Sequence, residues 1–107
     1  MIARVQVPEH VKPGDVVEIR ILIQHPMETG YRRDEVGNPI PRNTIRSIRC
    51  RYAGDEIFSA EMSPGIAANP YLQFTTVAQA TGMLEFSWID DEGHSDVQRK
   101  ELVVASP

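Results

Sequence analysis

The chain has 107 residues, 41% of them hydrophobic, which is enough for one core and too few for two. Its formal charge of −4 argues against a nucleic-acid partner, because such partners are held mainly by Lys and Arg neutralising phosphates. The single cysteine, Cys50, excludes an internal disulfide, and neither a charged leader with a long apolar run nor a stretch of membrane-spanning length is found; on its own the chain reads as soluble, cytoplasmic and without membrane insertion.

Residues 2–7 alternate Ala3, Val5 and Val7 with Arg4 and Gln6, the period of a half-buried strand. Pro13-Gly14 then turns the chain into the clearest strand, in which Val17, Ile19, Ile21 and Ile23 face one way and Glu18, Arg20 and Gln24 the other. Between His25 and Pro41 stand Pro26, Gly30, Gly37, Pro39 and Pro41, too many breakers for a regular element. A long loop, or a short hairpin with a disordered tip, is expected there, of the kind that carries function.

Ile48, Cys50 and Tyr52 alternate with Ser47, Arg49 and Arg51, and a turn at Gly54-Asp55 leads into 56–62, where Phe58, Ala60 and Met62 share a face. The stretch 63–70 is a crossing loop. It is followed by 71–77, with Leu72, Phe74 and Thr76 on one side, and by a turn at Thr81-Gly82. Leu84, Phe86 and Trp88 form the next inward row, and Asp91-Glu92-Gly93 turns into a last strand from about Ser95 to Val104. Seven short strands without a helical period predict an all-β, immunoglobulin-like β-sandwich, a single domain over 1–107.

Chemistry is sparse in this pattern. His10, His25 and His94 have no zinc-ligand spacing and are expected as surface or capping residues. The sharpest alternative is a small metal-binding redox sandwich using His25, Cys50 and His94, but Cys50 alternates in phase with Ile48 and Tyr52 and so belongs to the core. His94, Ser95 and Asp96 are strand neighbours that cannot converge as a triad, and Asp90, Asp91 and Glu92 fall where a hairpin needs polar turn residues. No enzyme and no cofactor are expected.

What remains is surface. Residues 31–51 hold Arg32, Arg33, Arg42, Arg46, Arg49 and Arg51 against Asp34 and Glu35, a net +4, while five cations face thirteen acids elsewhere, a net −8. Arginine suits bidentate contact with carboxylates or oxyanions. Leu22, Met83 and Ile89 lie opposite the inward rows, and Met27, Tyr31, Ile40 and Tyr71 add residue types common in binding hot spots. Partner contacts are therefore expected at Met27, Tyr31, Arg32, Arg33, Arg42, Asn69 and Tyr71.

Three segments, 16–43, 57–74 and 86–93, carry a resemblance, with His25-Pro26-Met27-Glu28-Thr29-Gly30 and Ala67-Ala68-Asn69-Pro70-Tyr71 its most specific motifs. The chain resembles the SoxZ family of the bacterial sulfur-oxidation (Sox) carrier complex; Ala67 stands where Ser is expected. The resemblance implies a non-catalytic immunoglobulin-like subunit that forms a heterodimer with SoxY, the chain whose Gly-rich tail bears the sulfur-carrying cysteine, and that touches other Sox proteins transiently. It also implies a periplasmic setting, reached by export with the partner. Cys50, inside a strand, does not inherit the carrier role.

Overall fold

The computed structural model describes residues 3–28, 30–62 and 69–105. Among these residues, β1 (Ala3–Gln6), β2 (Val16–Ile23), β3 (Ile45–Tyr52), β4 (Asp55–Glu61), β5 (Tyr71–Val77), β6 (Gly82–Asp90) and β7 (Ser95–Leu102) form two antiparallel sheets, ordered β1-β2-β5 and β4-β3-β6-β7. The expected seven-strand β-sandwich is what forms.

Period-two alternation builds the core. Ile19, Ile21 and Ile23 of β2 are fully excluded from solvent and face Ile48, Cys50, Leu84 and Phe86 of the other sheet, which are equally buried. Each side chain of this kind stabilises the fold by roughly 1.5–3 kcal/mol relative to exposure. Cys50 sits between Phe58 and Phe86 in register, as its phase predicts.

Turns differ from the expectation in detail. The β3–β4 connection is a two-residue turn at Ala53-Gly54, both with positive φ (51° and 88°), rather than Gly54-Asp55. Such a turn matches the twist of the paired strands. Gly82 opens β6 instead of turning, and a Cβ there would lie 2.9 Å from the Tyr52 ring, so the close approach favours glycine. The buried Tyr52 hydroxyl donates to the Ala80 carbonyl and accepts the amides of Gln79 and Ala80, closing one end of the sandwich. Beyond β7, Val104 makes a lone parallel bridge to Val11 rather than lengthening the strand.

Residues 24–43 form a hairpin-like arm at the other end. Glu28 and Asn43 exchange backbone hydrogen bonds of 2.7 and 2.8 Å, and Arg33 bridges to Pro39. Asp34 ends the excursion: its Oδ1 accepts the amides of Val36 (3.0 Å) and Asn38 (2.9 Å), a local turn that Gly37, with φ 84°, completes.

Candidate functional site

The arm is fastened to the sandwich by one histidine. At the end of β2, His25 donates its amide to Asn69 Oδ1 (3.1 Å) and accepts the Asn69 amide on its carbonyl (2.7 Å). Its Nδ1 accepts the Met27 amide (3.0 Å), and its Nε2 lies 3.4 Å from Asp90 Oδ2. An accepting Nδ1 assigns the ring proton to Nε2, so a neutral imidazole points its N–H at the carboxylate. His25 is 3% exposed, which corrects the expectation of a surface residue, although it does cap a turn.

Met27 requires a second correction. It is 4% exposed, with its Sδ accepting the Ile45 amide at 3.3 Å, so it packs inward and supports the arm instead of standing on the surface. Asn69 is likewise a clasp: with φ 53° it turns both its amide and its side chain to His25. Thus His25, Met27 and Asn69 from the two most specific motifs meet in space and hold the arm root; Thr29, Ala67 and Ala68 lie outside the described residues.

The acidic turn after β6 completes this root. Asp90 Oδ1 accepts the amides of Glu92 (3.0 Å) and His94 (2.9 Å). Burial opposes ionisation of Asp90, but these amides and the His25 ring outweigh it and hold its carboxyl below the usual range. Asp91 faces outward, where the Thr44 hydroxyl (2.7 Å) and amide (2.9 Å) bind one oxygen and also hold the carboxyl low. Arg42 Nε reaches that oxygen at 3.2 Å, and Arg46 Nε lies 3.8 Å from the other.

The arginines of 31–51 do not form one basic surface. Arg32 pairs with Glu28 within the arm, Arg33 donates to the Gly37 carbonyl, Arg42 and Arg46 share Asp91, and Arg49 lies 3.7 Å from Glu56. Tyr31 is 90% exposed on the arm and Tyr71 half-exposed on β5. His94, exposed, lies 3.5 Å from Asp90 Oδ2, so the two histidines of the redox alternative do share a carboxylate. Cys50 does not join them: it pairs with Phe86, four residues from Asp90 and so about 13 Å down the strand. Among the described residues no three His, Cys, Asp or Glu groups are arranged to hold a metal ion.

One feature escaped the sequence pattern. No residue of β4 or β5 is fully buried, and Ile57, Phe58, Leu72 and Phe74 pack against the core but stay partly exposed. Phe58 and Phe74 stack across the gap between the sheets, with centroids 4.4 Å apart and planes within 6°.

The family profile described as "Sulphur oxidation protein SoxZ" matches residues 5–101. The chain belongs to the SoxZ family. No curated protein sequence matches it. Among solved structures, this SoxZ-family chain is similar to a superoxide reductase (neelaredoxin) from Ignicoccus hospitalis, with TM-score 0.72, 20% identity, and 98% of this chain and 81% of that one covered. It is also similar to the sulfur carrier protein SoxY from Chlorobium limicola f thiosulfatophilum, with TM-score 0.68, 14% identity, and coverage of 97% and 79%. These likenesses are of fold. Inside it, burial pushes the Cys50 thiol up to about 12, the opposite of what a sulfur nucleophile requires.

Proposed function

We propose that this chain is the non-catalytic subunit of a SoxYZ-type sulfur-carrier complex. It pairs with a SoxY-like subunit that bears the carrier cysteine and helps present that cysteine to Sox enzymes during thiosulfate oxidation. The setting is periplasmic, with export alongside the partner, and residues 1–107 act as one unit.

The observation that carries this reading is the incompletely covered flank. Two edge strands whose inward residues are aromatic or aliphatic, yet never fully buried, are a core that a second protein completes. The arm, with Tyr31, Arg32 and Arg33 exposed, offers a polar, charged surface suited to the weaker contacts a carrier makes with successive enzymes.

Co-expression with a SoxY-like chain tests the proposal, read by native mass and by amide hydrogen exchange with and without the partner. The expected result is a one-to-one complex, new protection in β4 and β5, and the sulfur adduct mass on the partner alone. A chain that stays alone, or that carries the adduct on Cys50, overturns it.

A further inference from the structure

Beside the arm root, on the outer face of the four-stranded sheet, lies an open pocket of about 350 Å³ lined by Arg42, Arg46, Ser47, Glu61, Met62 and Ile89. The β3–β6 pairing steps from Ile45↔Asp90 to Ser47↔Ile89, which leaves Arg46 as the extra residue of a bulge. Bulges re-aim side chains. Here the bulge lets Arg46 and its neighbour Ser47 serve the same surface instead of opposite faces.

The two guanidiniums are oriented by a common anchor. Asp91 is fixed by the Thr44 amide and hydroxyl, and each arginine turns its Nε edge toward that carboxylate. Their Nη groups and the Ser47 hydroxyl have no protein partner among the described residues. The Thr44 amide and hydroxyl and Arg42 all meet Asp91 Oδ2, while Arg46 stands 3.8 Å from Oδ1, too far for a hydrogen bond, so its guanidinium is oriented without being tied. Two guanidiniums and a hydroxyl lining one pocket, with Met62 and Ile89 as its apolar wall, fit an acceptor-only group attached to something less polar.

We propose that Arg42, Arg46 and Ser47 form a binding site for a tetrahedral oxyanion of the sulfate, sulfonate or phosphate type. Met62, whose amide is tied to the Arg46 carbonyl at 2.8 Å, and Ile89, 40% exposed, receive the carbon or sulfur skeleton behind the charged head. Glu61 stands at the rim, cross-strand from Ser47. Its carboxylate opposes the ligand and keeps affinity moderate, so its removal strengthens binding. The group arrives either as a free ion or on a polypeptide, and the site recognises the same head in both.

The test uses the isolated full-length chain at constant ionic strength, followed by heteronuclear NMR. Sodium sulfate, ethanesulfonate, a short peptide ending in cysteic acid, and acetate are titrated in turn. The expected result is saturable shifts at Arg46, Ser47 and Ile89 with the sulfur oxyanions, weakened at least fivefold in Arg46→Gln, tightened a few-fold in Glu61→Gln, and unchanged in Arg99→Gln. Stronger binding of the peptide than of sulfate assigns a polypeptide source, and the reverse assigns a free ion. Equal weak shifts from acetate, an effect shared by Arg99→Gln, or no saturation at all overturns the site. Because no partner is present, failure here leaves the subunit proposal standing.

Discussion

The two flanks of the sandwich are built from the same alternation and end in opposite states. On the β1/β7 side, β1 turns only the small Ala3 and Val5 inward, and the inward positions of β7 beside Trp88, Phe86 and Leu84 are Asp96, Gln98 and Lys100, polar groups that tolerate water. On the β4/β5 side the corresponding positions are Phe58, Ala60, Leu72 and Phe74, which do not. An edge meant to stay wet is given polar side chains, whereas an edge left apolar calls for a cover. The comparison therefore sets an edge with polar inward side chains on β7 against an edge whose inward side chains are apolar and only partly covered.

The strongest way to sharpen this contrast is to empty each region in turn. Phe86→Ala, in the closed centre, should cost about 3–5 kcal/mol in urea unfolding of the isolated chain, enough to unfold much of it. Tyr52→Phe removes the hydroxyl's bonds to Gln79 and Ala80 at the closed end and should cost about 0.5–1.5 kcal/mol by the same measurement. Phe74→Ala should cost less in the isolated chain than Phe86→Ala, because its side chain stays partly exposed, yet weaken the complex strongly. Equal losses for Phe74→Ala and Phe86→Ala would mean the flank is as closed as the centre and would break the comparison.

The acidic turn gives a smaller, pH-dependent effect. Asp90 and Asp91 both ionise more readily in the fold than in the unfolded chain. Their contribution is complete above the ordinary carboxylate pKa of about 4 and is lost as pH falls through their lowered folded values. Unfolding midpoints should therefore drop below about pH 4, and Asp91→Asn should flatten that drop. The smallest expected signal is at Cys50: with its thiol up at about 12 and its side chain buried, a maleimide should leave the native chain unmodified and label it only in denaturant.

Much of this was legible in the sequence. Ile19-Ile21-Ile23 and Leu84-Phe86-Trp88 announce their strands because alternation is a local property of the chain. The arm was legible as a breaker-rich interval, but its hairpin pairing depends on Glu28 and Asn43, fifteen positions apart, and on the cap at Asp34. Met27 read as a contact residue because local pattern says nothing of the Ile45 amide that draws its sulfur inward. The partly covered flank was not legible at all: Phe58 and Phe74 carry the same inward phase as Phe86, and only the strand order reveals that β4 and β5 are edge strands among the described residues.

The arm has a hydrodynamic consequence. The molecule measures 62 × 20 × 19 Å with a radius of gyration of 16.4 Å, against roughly 13 Å for a compact domain of this length. The nine residues of β6 reach only about 30 Å, so a sandwich of such strands fills about half the long axis. A rod of this aspect ratio tumbles slowly about its short axes and elutes ahead of a sphere of equal mass. A monomer will elute at an apparent mass above its own, and counting subunits in any complex of this chain calls for sedimentation or mass, not elution volume.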